Sequence, residues 1–212
     1  MNPAQIEQFK GWLRNLERTA AEECARDVFR KGGSVALSDE LLVPALESLG
    51  AEWETGEASL AEIYMAGRIC EELVDALVLE VRGPESTGIQ VAVAPLEDPH
   101  LLGKRMVRSV VCAAGYDVAD WGRIRSEELV ARVLAEKPQA LLVSTLMLPS
   151  ALKVRSVVDA LREAGASTPV IVGGAPFRFD PKLGAEVGAD ASGRNAADAV
   201  SLVRELVGGG DP

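Results

Sequence analysis

The hydrophobic period of this chain changes once, across Arg82 to Gly88, and that change demands two differently built halves. Ahead of it, apolar residues recur at three- and four-residue steps. Ile6, Phe9, Leu13 and Leu16 begin the stripe, and Ala20, Cys24 and Phe29 roughly extend it. Such spacing lines one face of a helix. Gly32-Gly33 predicts its stop. Ser38 reads as the N-cap of a second helix with Leu41, Leu42, Ala45, Leu46 and Leu49 on its apolar face. Past the break at Gly56, a third helix is predicted from Ser59 to Val81, buried through Leu60, Ile63, Met65, Ile69, Leu73, Leu77 and Val81. This half shows no convincing strand and reads as a small antiparallel bundle.

Beyond a Gly-, Pro- and Ser-containing linker the period alternates. Strands are predicted over Ile89–Ala94, Tyr116–Asp120, Ala140–Thr145 and Pro169–Val172, with a short one at Ala189–Ala191. Helices are predicted between and after them, over Gly103–Ala114, Ser126–Glu136, Ser150–Ala164, Pro181–Val187 and Ala196–Leu206. Strands alternating with helices make a parallel sheet covered on both faces. Right-handed crossovers then give a five-stranded Rossmann- or flavodoxin-like domain. The expected division is a helical domain at 1–83, a linker at 84–88 and an α/β domain at 89–212.

Composition narrows the partners. A net charge of -10 argues against sequence-independent binding to nucleic acid or anionic membrane, which needs clustered Lys and Arg. Cys24, Cys70 and Cys112 are widely spaced without a CxxC pair, which suggests reduced thiols rather than a disulfide framework or zinc site. The start of the chain lacks the apolar core of a signal peptide, and no apolar run approaches a membrane span. A cytoplasmic protein is expected.

Candidate site residues fall on loops at the carboxyl edge of the predicted sheet, where α/β proteins place ligands. The sole histidine stands in Asp98-Pro99-His100-Leu101-Leu102-Gly103 after the first strand. Ser144-Thr145-Leu146 follows the third strand and Gly173-Gly174 the fourth. Neither GxGxxG nor a Walker A sequence is present. A neutral imidazole binds cobalt, iron, zinc or copper, and a carboxylate on its second nitrogen fixes its tautomer. One histidine without further ligands cannot hold zinc. A metal here must arrive in its own macrocycle, as in haem or a corrinoid. The same three residues also describe a loop histidine satisfied by its neighbouring Asp, with no metal at all.

Asp98-x-His100-x-x-Gly103, followed by Lys104, resembles the signature of cobalamin-binding modules in methionine synthase, the coenzyme-dependent mutases and small corrinoid methyl carriers. Ser144-Thr145-Leu146-Met147-Leu148-Pro149-Ser150, Val172-Gly173-Gly174-Ala175-Pro176 and Gly188-Ala189-Asp190 are similar to later blocks of that family, in order. Leu42-Val43-Pro44-Ala45-Leu46, Gly50, Trp53, Gly56-Glu57 and Met65-Ala66 resemble the helical cap of free-standing corrinoid proteins.

The resemblance implies roles. His100 would bind cobalt from below in place of the cofactor's benzimidazole, the base-off/His-on form. Asp98 would accept the His100 N–H, and Ser150 would hydrogen-bond Asp98 to complete a proton relay. Gly103 would leave room for the nucleotide tail, with Ser144, Thr145 and Leu146 lining the slot. Gly173 and Gly174 would let the backbone approach the tail. The cap, including Met65, would cover the upper face, with Trp53 a further candidate and core packing the default for Trp12, Trp53 and Trp121.

The implied cofactor is cobalamin, as methylcobalamin or another corrinoid. The implied function is a non-catalytic carrier of a methyl group between a substrate-specific methyltransferase and a second, methyl-accepting methyltransferase, or a partner of a reductive activase. The alternative is a cobalamin-dependent light or cofactor sensor acting through a protein partner. The sequence departs from the family at Leu101, where a second Asp is common, and at Glu97, where Gly or a small residue is common. Pro99 stiffens the loop, and the Pro commonly found near Leu60-Ala61-Glu62 is missing.

Overall fold

Helices α1 (Pro3–Arg14), α2 (Arg18–Val35), α3 (Val43–Glu54) and α4 (Leu60–Val78) build the first unit of this computed structural model, which describes residues 2–78 and 87–207. The chain divides into two units, Met1–Arg82 and Gly83–Pro212. Asn2 starts α1 with a reciprocal cap. Its side chain accepts from the Gln5 N–H at 2.9 Å and its own N–H donates to the Gln5 side chain at 3.2 Å.

The single helix expected from Ile6 to Phe29 is two. Leu16 adopts φ 58, a left-handed conformation, and half-exposes its side chain instead of joining the core. The turn lets α2 fold back on α1. Gly33 interrupts α2 at φ 67, but the chain resumes at once as a π-helical turn, Ala36–Leu42. Ser38 is therefore not an N-cap. It is buried in that turn, where its hydroxyl donates to Asp39 at 2.6 Å. Pro44 in the first turn of α3 has no N–H to give, which favours the wider turn before it.

Phe9, Leu13, Leu41, Leu42, Leu49 and Leu77 are fully buried in this unit. Each such side chain contributes roughly 1.5–3 kcal/mol. The predicted helix end at Val81 and linker residues 84–86 lie outside the described residues.

The second unit is a parallel sheet in the order β2-β1-β3-β4-β5, with β1 (Gln90–Pro95), β2 (Asp117–Asp120), β3 (Ala140–Ser144), β4 (Val170–Gly173) and β5 (Ala191–Gly193). Helices α5 (Leu102–Ala113), α6 (Ser126–Glu136), α7 (Leu148–Glu163), α8 (Ala175–Phe179), α9 (Leu183–Glu186) and α10 (Ala196–Val207) follow the strands. Alternate strand residues feed two cores. Val91, Val93, Leu142 and Ile171 pack with Val111 of α5 and Val203 of α10. Ala92, Leu141, Val143 and Val172 pack on the other face with Leu129 of α6, Val154 and Leu161 of α7 and Phe177 of α8. Burial on both faces explains why these strands read as continuous apolar runs.

Two elements differ from expectation. The sequence pattern does not mark α8, although Pro176 stands in its first turn, a favoured place for proline. The helix expected over Pro181–Val187 is the shorter α9. Trp121 is core, whereas Trp53 is half-exposed and not packed as the default required. Among the described residues no helix is long and apolar enough to cross a membrane.

Candidate functional site

Strand order reverses between β1 and β3, so their following loops diverge and open a crevice at the carboxyl edge. The loop after β1 carries Asp98 and His100, and β3 ends on Ser144 with Thr145 to Met147 in the loop that follows. Asp98 joins them. It is fully buried. Its Oδ1 accepts from the His100 backbone N–H at 3.0 Å and lies 2.7 Å from His100 Nδ1. Its Oδ2 accepts from the backbone N–H groups of Leu146 at 2.7 Å and Met147 at 2.9 Å.

Burial opposes ionisation of Asp98. The N–H groups of His100, Met147 and Leu146, and then the imidazole, outweigh it and hold the carboxyl below its ordinary pKa. An ionised carboxylate only accepts, so His100 Nδ1 carries the proton of that bond. Nε2 then keeps its lone pair, and among the described residues it has no hydrogen-bond partner. The imidazole is half-exposed. The imidazole is thus held by one edge and open at the other.

Ser150 does not complete the expected relay. Its hydroxyl donates to the backbone carbonyl of Glu97 at 3.3 Å, because both Asp98 oxygens are already engaged. Gly103 stands at the start of α5, where an added Cβ would lie 3.1 Å from Ser144 Oγ. Gly174, at φ 119, passes so close to the β3 loop that a Cβ would sit 1.7 Å from the Thr145 carbonyl oxygen. Here the glycine is required by the protein's own backbone, whatever ligand lies nearby. Gly173 ends β4, and its carbonyl accepts from the Thr145 N–H at 3.0 Å. Thus Asp98, His100, Gly103, Ser144, Thr145, Leu146, Gly173 and Gly174 share one sheet edge. Met65 belongs to the first unit, partly buried on α4.

Several residues of the edge have a role that their sequence does not indicate. Met147 supplies a backbone N–H to Asp98 as the residue preceding α7, a role its side chain does not advertise. Lys104 is buried and pairs with Asp120 at 2.7 and 2.8 Å, tying α5 to the end of β2. Glu97 adopts φ 48 and accepts from the Ser126 N–H at 3.2 Å and its hydroxyl at 2.9 Å, and it also pairs with Lys153. Lys153, then Ser126, push its carboxyl down to about 2.

Among the described residues no three His, Cys, Asp or Glu side chains gather to hold a metal ion. One open imidazole nitrogen is one ligand, so a metal bound there must bring the others. A macrocyclic cofactor fits what surrounds it. Leu146 and Met147 expose about half of their apolar side chains, at 47% and 48%, on the segment that grips Asp98. Thr145 Oγ1 is buried without a hydrogen-bond partner, a polar atom left for a ligand group.

The fold and site thus define a class: an α/β domain with a ligand crevice at the carboxyl edge of its sheet and one half-exposed histidine on the loop after β1. The family model described as the B12 binding domain matches residues 89–201, and a second B12 binding domain model matches residues 5–78. The chain belongs to this B12-binding family and is a cobalamin-binding protein.

It is 31% identical over 176 residues to monomethylamine corrinoid protein 2 of Methanosarcina mazei, covering 78% of this chain and 80% of that one. Its fold matches the monomethylamine corrinoid protein of Methanosarcina barkeri with a TM-score of 0.83 at 24% identity, covering 97% of this chain and all of the other. A chain of the methanol:cobalamin methyltransferase complex from Methanosarcina barkeri matches with a TM-score of 0.54 at 24% identity, over 99% of this chain and 81% of that one.

Proposed function

We propose that this protein carries a methyl group on a corrinoid bound base-off, with His100 as the lower ligand, and exchanges it with partner methyltransferases. The observation that carries this reading is the Asp98–His100 pair, which presents an unpartnered Nε2 at the switch point of the sheet. The likeness to a methylamine corrinoid protein supports it. When bound, the corrinoid supplies a cobalt centre that accepts a methyl group from one molecule and yields it to another.

The protein's own residues set the conditions for that exchange. Asp98 holds the imidazole by Nδ1 and fixes the Nδ1–H tautomer, which leaves the lone pair on Nε2. Its carboxylate stays in place because two backbone N–H groups hold Oδ2. Ser150 donates to the Glu97 carbonyl and so steadies the turn ahead of Asp98. Thr145 Oγ1 is assigned to the cofactor's polar tail, in the slot between Gly103 and Gly174.

The test uses protein loaded with hydroxocobalamin and reduced, mixed with isotopically labelled methanol or methylamines and the methyltransferase for each. The expected result is protein-bound label from one donor, lost on adding a thiol acceptor with its own methyltransferase. No transfer from any donor, together with a light-dependent change in oligomeric mass, would replace the carrier with a sensor.

A further inference from the structure

We infer that Glu97 is the positioning residue of the lower ligand: its side chain clamps the turn that aims His100, and so sets how firmly the imidazole is offered to cobalt. This rests on the reading of His100 as that ligand.

Glu97 adopts φ 48, a left-handed conformation that side-chain-bearing residues rarely take. Leu16 and Lys137 are the other non-glycine residues with positive φ among those described. Lys137 follows the last residue of α6, and Leu16 is a surface turn. At Glu97 the cost falls on the residue that turns the chain from β1 into the His100 loop. A strained conformation persists only when its surroundings over-determine it.

Every polar group of Glu97 is engaged. Its N–H donates to the Ile124 carbonyl at 2.9 Å, and its carbonyl accepts from Ser150 at 3.3 Å. One carboxylate oxygen accepts from both the N–H and the hydroxyl of Ser126, at the start of α6. The other pairs with Lys153 of α7. The side chain therefore bridges two helices packed on one face of the sheet, and the turn between them is fixed. Asp98 comes next, so any play at Glu97 moves the carboxylate that orients His100. The turn is also what a glycine would make without strain, and a glycine would carry no clamp.

The test compares Glu97→Ala, Glu97→Gly, Glu97→Gln and Lys153→Met with wild type and His100→Ala. The holoprotein's absorbance gives the ratio of histidine-bound to histidine-free methylcobalamin at fixed pH. The ¹⁵N shifts of the chain's sole histidine in the apoprotein give its tautomer, and thermal melting gives stability.

Glu97→Ala and Glu97→Gly should lower the histidine-bound ratio about tenfold, equivalent to about 1.4 kcal/mol. They should also mix the two His100 tautomers in the apoprotein. Glu97→Gln, whose carbonyl oxygen still accepts from Ser126, should retain most of the wild-type ratio. Lys153→Met, on an exposed side chain, should shift it in the same direction by less. A clamp that merely stabilises the fold would lower the melting temperature and leave both His100 readouts at wild type, which overturns the inference. If wild type and His100→Ala give the same spectrum, the axial-ligand reading fails and takes this inference with it. If they differ while the Glu97 variants match wild type, the inference alone fails.

Discussion

The ion cluster of the helical unit and the site at the sheet edge differ in whether their hydrogen bonds close. In the helical unit the polar groups close on one another. Lys10 is buried, yet it donates to Ser48 at 3.0 Å and pairs with Glu7 at 2.6 Å and with Glu52. Arg14 links Glu52 at 3.0 Å to Glu62 at 2.9 Å, and Glu62 accepts from the Ser59 N–H at 2.7 Å at the start of α4. At the sheet edge of the second unit, Asp98 is bonded on both oxygens, but the chain of bonds stops at His100 Nε2 and never reaches Thr145 Oγ1. The lesson is that pairing separates the two: the helical cluster closes on itself, whereas the sheet edge leaves polar atoms positioned and open, as the proposed cofactor site requires.

This contrast can be broken experimentally. The largest effect is expected from Asp98→Ala, which leaves the buried N–H groups of Leu146 and Met147 unpaired and releases the imidazole. Denaturant unfolding should show a loss of about 3 kcal/mol, and histidine-bound corrinoid should disappear from the spectrum. Retention of either property would mean that Asp98 is not the keystone.

Lys10→Met should cost about 2 kcal/mol, because it removes one partner from a partly buried ion cluster. Its cobalamin spectrum should match wild type, since that cluster serves structure alone. A spectral change would erase the distinction between the units.

Thr145→Val should act in the opposite sense. Replacing an unpartnered buried hydroxyl by a methyl should leave stability unchanged or raise it by about 1 kcal/mol. Corrinoid affinity, measured by titration calorimetry, should fall several-fold. If stability falls instead, the hydroxyl is structural.

The smallest effect concerns acid. Backbone and side-chain bonds from Ser59, and then Arg14, push the Glu62 carboxyl down to about 2. Glu97 is likewise pushed down to about 2, chiefly by Lys153. A depressed folded pKa gives stability that is present above the unfolded value, near 4.5 for Glu, and is lost as pH falls toward about 2. Thermal melts should therefore be level from pH 7 to about 5 and decline below that. A melting temperature that rises on acidification in that range would show that these bonds do not favour the charged forms.

Much of this architecture is legible in the residues. The change of period places the sheet, because strands buried on both faces must be apolar runs and crossover helices must follow them. Asp98 and His100 are legible because they are local: two residues apart, on a loop that leads out of a strand. What escapes is whatever depends on distant backbone. The grip of Asp98 on Leu146 and Met147 spans the whole β1-to-β3 crossover, and the hydroxyl of Ser150 found the Glu97 carbonyl instead of the carboxylate expected for it. Leu16 continues the helical stripe in sequence, yet a left-handed turn removes it from the core. Glu97 reads only as a departure from glycine until its φ and its bonds to Ser126 and Lys153 are seen together.

The central claim is that His100 Nε2 is the atom offered to cobalt, and the chain's single histidine allows a direct measurement. Protein grown with ¹⁵N-histidine, loaded with cobalamin and reduced to Co(II), is examined by electron paramagnetic resonance. An axial ¹⁴N splits each cobalt line into a triplet and an axial ¹⁵N into a doublet. The account predicts a doublet in labelled wild type and a triplet in unlabelled wild type. A triplet that survives labelling would show the cofactor's own benzimidazole on the metal, and His100 would not be its ligand.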